Sequence, residues 1–146
     1  MCIIIAEAGE NHLGDMDLAR KMIDVSREAG ADYVKFQYYD AEACADSDPE
    51  KEWFRKVQLD MDQLRYLYGI ARQRGIAFLC TPWDAAKAAD LFSLGVRDMK
   101  IASFHITDHD LLKLVNDRAD KVFLSTGMSS VAEIDAAVAM LKKVDL

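Results

Sequence analysis

Two lysines stand inside apolar stretches of the sequence, Lys35 in the run Val-Lys-Phe and Lys100 in the run Met-Lys-Ile. An ammonium group that is buried without a partner costs on the order of several kcal/mol or loses its proton, so two such lysines suggest a use. Two ammonium groups that converge on one cavity would bind a phosphate or a carboxylate. The alternative interpretation places each lysine on an exposed edge strand with its ammonium group in water. We expect an anion-binding site.

Other polar residues stand at or just after the ends of the apolar runs. Hydroxyl groups at four of these positions would suit the oxygen atoms of an anion, although serine and threonine are also common helix caps. Glu7 would act as a general acid or base, or accept hydrogen bonds from sugar hydroxyls. Its alternative role is an ion pair with one of the lysines. The strand-end residues are Glu7, Asn11, His12, Lys35, Gln37, Thr81, Lys100, Ser103, Ser125 and Thr126.

Five short apolar runs, each followed by a segment of helical periodicity, would position these residues. Continuous apolar runs are typical of parallel strands that are covered on both faces, and right-handed crossovers then give a parallel sheet wrapped by helices. A doubly wound sheet and a (β/α)₈ barrel both fit, and both place sites beyond the carboxyl ends of the strands. No GxGxxG motif follows the first run, which counts against a dinucleotide-binding sheet. The predicted strands are Ile3–Glu7, Tyr33–Gln37, Ala77–Cys80, Met99–Ser103 and Val122–Ser125.

Helix boundaries can be predicted from capping residues. Three pairs resemble capping boxes, and glycines stand before three of the strands, where a helix often ends in a left-handed residue. The segment 38–60 is the one irregular stretch, and it is either a surface loop or a functional lid at a strand end. The predicted capping pairs are Asp60 with Gln63, Thr107 with Asp110, and Ser130 with Glu133, and the glycines are Gly30, Gly75 and Gly95.

Composition limits the class of protein. The 146 residues are enough for one domain, and 25 acidic against 18 basic residues give a net charge of −7. No basic cluster is present, so a nucleic-acid partner is not expected. The first apolar run is too short for a signal peptide or a membrane span. Three cysteines without a CxxC spacing indicate reduced thiols in a cytoplasmic protein, and His105 and His109 are separated by a predicted helix start, which argues against a metal pair.

Five sequence motifs together resemble the N-acetylneuraminate (sialic acid) synthase family. The first is IIAEAGENHLGD at residues 4–15, and the second is AGADYVKFQ at 29–37. They are followed by FLCTPWD at 78–84, MKIAS at 99–103 and LSTGM at 124–128. The motifs occur in the family's order over nearly the whole chain, which makes the match specific.

The resemblance implies a parallel (β/α)₈ TIM-type barrel, often followed by a small antifreeze-like domain. Residues 1–146 would then form a single partial barrel domain of about five of the eight βα units, without the antifreeze-like domain. The family joins phosphoenolpyruvate to N-acetylmannosamine or a related 2-acetamido sugar, and it releases phosphate and a nine-carbon 2-keto acid. The resemblance also implies a divalent metal, manganese or magnesium, that polarises the sugar aldehyde. Its ligands come from later strands and are expected to lie outside this chain.

Residue by residue, the resemblance assigns roles to the strand-end positions. Glu7 matches an acidic residue at the phosphoenolpyruvate pocket, while Asn11, His12 and Gln37 match motif positions of less defined role. The matches to residues that hold the phosphate and carboxylate of phosphoenolpyruvate are Lys35, Thr81, Lys100, Ser103 and Ser125.

The sequence departs from the family pattern in two ways. Phe104 and His105 replace the usual Gly-Glu pair, so the sugar acceptor stays open and His105 becomes the acid–base candidate near neutral pH. Five strands also cannot close a barrel, and the first and fifth would be unpaired edges. We therefore expect a part of a longer chain, a homo-oligomer, or a remnant that binds anions without turnover. Another phosphoenolpyruvate-dependent sugar-acid synthase is a further alternative.

Overall fold

The computed structural model describes residues 2–141 and 144–145, and the chain divides into two compact units, Met1–Leu79 and Cys80–Leu146. Each unit alternates parallel strands with helices. The fold class is therefore α/β of the incomplete TIM-barrel type, as the sequence predicts. In the described part of the chain, no helix has the length and apolar character that crossing a membrane requires.

The first unit contains two complete strands and three α-helices. Strand β1 pairs in parallel with β2, and Ile5 lies opposite Tyr33. Both strands begin near their predicted positions, but β1 runs two residues further than expected. The elements are β1 (Ile5–Gly9), α1 (Met16–Glu28), β2 (Tyr33–Tyr38), α2 (Lys51–Val57), α3 (Met61–Arg74) and the first half of β3 (Ala77–Pro82).

Helices α1 and α3 bury the faces that periodicity predicts, because residues spaced three or four apart share one side of a helix. Ile23 of α1 and Leu64 and Leu67 of α3 are fully buried. The Asp60–Gln63 capping box starts α3, and Gly75 ends it with a φ of 68°. That left-handed conformation favours glycine.

The segment between β2 and α3 is more ordered than the sequence suggests. It holds a short 3₁₀ turn, Ala41–Ala43, and helix α2, so describing it as irregular is wrong. Lys51 is buried and donates from Nζ to the Cys44 carbonyl at 3.0 Å and to the Asp46 carboxylate at 2.8 Å. Phe54 contacts Tyr39 edge-to-face, with 5.5 Å between ring centroids. These contacts fix the segment, while its role as a lid stays a prediction.

The second unit contains the rest of β3 and three further parallel strands, which lie side by side in the order β3, β4, β5, β6. Cys80 pairs with Met99, Met99 with Val122, and Val122 with Val144. The prediction that the fifth strand is an unpaired edge is wrong, because a further strand, β6, pairs with β5 in parallel. The elements are α4 (Ala85–Leu94), β4 (Asp98–Ile101), α5 (His109–Arg118), β5 (Lys121–Leu124), α6 (Val131–Met140) and β6 (Val144–Asp145).

The helices of the second unit begin at side-chain caps. The Ser130–Glu133 capping box starts α6 as predicted. The prediction of Thr107 as the cap of α5 is wrong, because Asp108 is the cap and its carboxylate accepts from Leu111 N at 3.0 Å. Between sheet and helices lies an apolar core of fully buried residues, among them Leu91, Met99, Ile101, Leu111, Leu112 and Val122.

Candidate functional site

Glu7 and Lys35 lie directly opposite each other on β1 and β2. Lys35 Nζ forms an ion pair with Glu7 Oε2; the lysine side chain is 13% exposed and the glutamate side chain 51%. Lys35 therefore has a carboxylate partner. This ion pair is the alternative role that the sequence predicts for Glu7. The pair lies within the strands, at the third residue of β1 and the third residue of β2.

A backbone irregularity follows Glu7. The register of β1 against β2 shifts between Glu7 and Gly9, and Gly9 has a φ of 52°. A Cβ at Gly9 would lie 3.2 Å from Glu7 Oε1. Glycine is needed here both for the left-handed backbone and for space beside the Glu7 carboxylate.

Asn11 and His12 shape the turn after β1. Asn11 Nδ2 donates to the Ala8 carbonyl at 3.0 Å, and His12 Nδ1 accepts from Gly14 N at 3.2 Å. His12 is only 1% exposed, and burial lowers its pKa below the ordinary value of 6.5. The imidazole is therefore neutral at pH 7 and has a structural role, while the exposed Asn11 stays a candidate for substrate binding.

Gln37 follows Lys35 by two residues on β2, so both side chains point to the same side of the sheet. Both are partly exposed. The first unit thus brings together Glu7, Lys35 and Gln37 near the ends of two adjacent strands.

Lys100 and the two predicted serines meet at the ends of β4 and β5. The Ile101 carbonyl accepts from Lys100 Nζ at 2.7 Å and from Ser125 N at 3.0 Å. Ser103 lies two residues after β4, and a Cβ at Gly127 would lie 3.5 Å from its Oγ. The second unit therefore carries an ammonium group and two serine residues at or just after the ends of β4 and β5. Thr81, on β3 of the same unit, is buried at 3% exposure.

His105 closes the 3₁₀ turn Ser103–His105 that follows β4. Its Nε2 is buried and has no hydrogen-bond partner among the described residues. Burial lowers the pKa of His105 below 6.5, although the carboxylates of Asp108 and Asp84 act in the opposite direction. The neutral imidazole is thus available as a proton acceptor near neutral pH.

Tyr39 is a strand-end residue that the sequence prediction missed. It is 2% exposed; burial first, and the neighbouring Glu10 carboxylate second, raise the pKa of its phenol far above the ordinary 10.0. Tyr39 and Glu10 directly follow β2 and β1, but both strands run further than predicted, so the predicted strand ends did not point to these residues.

The resemblance implies a divalent metal, which needs a set of donor side chains. Over residues 2–141, no three His, Cys, Asp or Glu side chains come close enough together to hold a metal ion. Three or more such donors are the usual requirement of a catalytic metal site. The described residues alone therefore do not fit this metal.

Comparison with known proteins identifies the family. The NeuB family model matches residues 22–145. The chain belongs to the NeuB family. N,N'-diacetyllegionaminic acid synthase of Campylobacter jejuni is 36% identical over 97% of the NeuB-family chain and 47% of its own length. N-acetylneuraminate-9-phosphate synthase of Homo sapiens is 31% identical over 89% of the chain and 40% of its own length.

Solved structures agree with this assignment. The N-acetylneuraminic acid synthetase of Leptospira borgpetersenii, crystallised with citrate, superposes with a TM-score of 0.90 at 34% identity, over 97% of this chain and 50% of that one. A 3-deoxy-D-arabino-heptulosonate 7-phosphate synthase of Thermotoga maritima has a TM-score of 0.71 at 14% identity, which shows a shared fold alone. The NeuB-family chain spans about half the length of the curated relatives it matches.

Proposed function

We propose that this chain supplies the phosphoenolpyruvate-binding part of a sugar-acid synthase. The reaction would join phosphoenolpyruvate to N-acetylmannosamine or a related 2-acetamido sugar, forming a nine-carbon 2-keto sugar acid. The relatives are synthases of legionaminic, pseudaminic and neuraminic acids, which supports a sugar-acid product. The identity of the acceptor sugar is left open by Phe104 and His105.

One observation carries the proposal: the polar edge formed by Lys100, Ser103 and Ser125. Ammonium and hydroxyl groups are donors that suit a phosphate or a carboxylate, and charge-assisted hydrogen bonds are the stronger kind. Lys100 Nζ donates a hydrogen bond to the Ile101 carbonyl oxygen at 2.7 Å. This bond holds the ammonium group in place before a ligand binds. In the first unit, Lys35 on β2, which pairs with Glu7, is proposed separately as an anion contact of that unit.

The chemistry then follows from the substrates. C3 of phosphoenolpyruvate forms a bond to the aldehyde carbon, and the aldehyde oxygen gains a proton to become a hydroxyl. Water adds to C2 and gives one proton to the neutral imidazole of His105, which passes it to the aldehyde oxygen. The C2–O bond to phosphate breaks and phosphate leaves with the bonding electrons. The new C2 hydroxyl gives its proton to the departing phosphate, and C2 becomes the keto carbon. Lys100 would balance the negative charge of the bound anion throughout.

The partial length leads to a second expectation. Since the chain spans about half of its relatives, we expect binding of phosphoenolpyruvate but little or no turnover by the 146-residue chain alone. Activity would require a longer chain or an assembly of copies. A metal such as manganese or magnesium, if bound by such an assembly, would polarise the sugar aldehyde.

Calorimetric titration of phosphoenolpyruvate into the 146-residue chain tests the proposal. Lys100→Met should weaken binding about 10- to 150-fold, because a hydrogen bond to a charged group contributes about 1.5–3 kcal/mol. Lys113→Met is the matched control, since Lys113 is an exposed lysine of α5 that pairs with Asp117 at 3.0 Å. It should bind like the wild type.

Three results would count against these expectations. If wild-type chain does not bind phosphoenolpyruvate, or if Lys100→Met binds it as tightly, the anion site is not where we place it. Phosphate release on mixing the chain with phosphoenolpyruvate, N-acetylmannosamine and manganese would contradict the expected lack of turnover. If a longer chain binds phosphoenolpyruvate but releases no phosphate, the protein is better described as a remnant that binds anions without turnover.

A further inference from the structure

Two aromatic side chains stand just after the carboxyl ends of β3 and β4 in the second unit. Trp83 directly follows β3, and Phe104 lies in the 3₁₀ turn after β4. Their rings meet edge-to-face at 5.7 Å between centroids and an interplanar angle of 86°. The His105 ring lies 4.2 Å from Phe104 on the same turn.

Phe104 is unusually exposed for its position. Its relative exposure is 55%, whereas most phenylalanine side chains are largely buried. β4 has a neighbouring strand on each side, β3 and β5, so the exposure does not arise from a missing neighbour at a sheet edge. The ring stands at the carboxyl end of a parallel strand, where α/β proteins bind ligands.

The chemistry of the neighbours restricts what this ring would contact. Phe104 directly follows Ser103 of the proposed anion site. A molecule that reacts with the bound anion would therefore bind next to the Phe104 ring. The ring offers an apolar surface with a negative π face. Such a surface attracts the polarised C–H bonds of an uncharged ligand, and it offers a charged ligand no hydrogen bond.

We infer that Trp83 and Phe104 form an aromatic platform that binds the apolar face of the acceptor sugar and so helps to select it. The inference rests on the proposed function, because it assumes a sugar next to bound phosphoenolpyruvate. Trp83 supports the Phe104 ring by its edge-to-face contact and limits its rotation. The platform is a specificity element and takes no part in proton transfer.

Tryptophan fluorescence can report on the platform directly. The chain has two tryptophans, so Trp53→Phe leaves Trp83 as the only one. N-acetylmannosamine is titrated into this background variant at saturating phosphoenolpyruvate, and a saturable change in Trp83 emission is expected. Adding Phe104→Ala should raise the Kd for the sugar about three- to tenfold, the size of a lost aromatic contact. The Kd for phosphoenolpyruvate, measured by calorimetry, should not change.

Tyr66→Ala is the matched control, because Tyr66 is an aromatic residue of α3 with 45% exposure, and it should leave both constants unchanged. Phe104→Leu keeps an apolar side chain without the π system, so weaker sugar binding in this variant supports the platform even if the alanine variant unfolds. Sugar binding of wild-type strength in both Phe104 variants overturns the platform, as does the absence of sugar binding to a chain that binds phosphoenolpyruvate. Failure to bind phosphoenolpyruvate instead refutes the proposed function itself.

Discussion

Replacing Lys35 by methionine separates the structural role of its ammonium group from its proposed role in binding. Methionine keeps an unbranched side chain of similar length and fills the same apolar surroundings on β2. The partner carboxylate of Glu7 is 51% exposed, so water can hydrate it after the ion pair is lost. Surface ion pairs contribute about 0–1 kcal/mol, and here the glutamate is half exposed while the lysine side chain is 13% exposed. The free energy of unfolding should therefore fall by less than about 1 kcal/mol.

The effect of Lys35→Met on binding should be larger. Loss of one hydrogen bond to a charged ligand group costs about 1.5–3 kcal/mol, which corresponds to an increase of about 10- to 150-fold in the Kd for phosphoenolpyruvate. Urea unfolding measures the stability and calorimetry the affinity, with Lys113→Met as the control of identical chemistry. If Lys35→Met binds phosphoenolpyruvate as well as wild type does, Lys35 does not contact the anion. A stability loss well above about 1 kcal/mol would mean that the ion pair serves the fold.

Three further predictions concern the scaffold and its pH dependence. Leu64→Ala, at a fully buried position of α3, should cost about 2–5 kcal/mol in urea unfolding, whereas Val25→Ala at 61% exposure should change stability by less than about 0.5 kcal/mol. Asp60→Ala removes one half of the α3 capping box and should cost about 1 kcal/mol, measured by the shift in urea midpoint; no shift would argue against the cap. His12 has a lowered pKa, so the unfolded chain binds the proton more readily and stability should fall as the pH drops below about 6.5. In His12→Gln the fall should be shallower, and an unchanged slope would assign it to other groups.

The longer helices could be predicted because their signals are local. The spacing of Leu64, Leu67 and Ala71 fixes a helix face, and Asp60 with Gln63 fixes its start. The start of α5 could not be fixed in this way, because Thr107 and Asp108 are adjacent and both residue types are good caps. Only the backbone conformation decides between them.

The site depends on pairing between strands, which the sequence specifies poorly. The pattern of apolar residues places Glu7 and Lys35 near the ends of β1 and β2 but gives no register, so their ion pair was one of two alternatives. Helix α2 was missed because it spans one short segment, Lys51–Val57, and its order depends on contacts of Lys51 and Phe54 with distant parts of the loop. Such tertiary contacts leave no periodic signal.

A crystal structure of the chain with bound phosphoenolpyruvate is the most direct test of the proposed site. We predict that Lys100 Nζ lies about 2.7–2.9 Å from a phosphate or carboxylate oxygen of the ligand. A ligand that does not contact Lys100, or that binds away from the ends of β4 and β5, would contradict the proposed site.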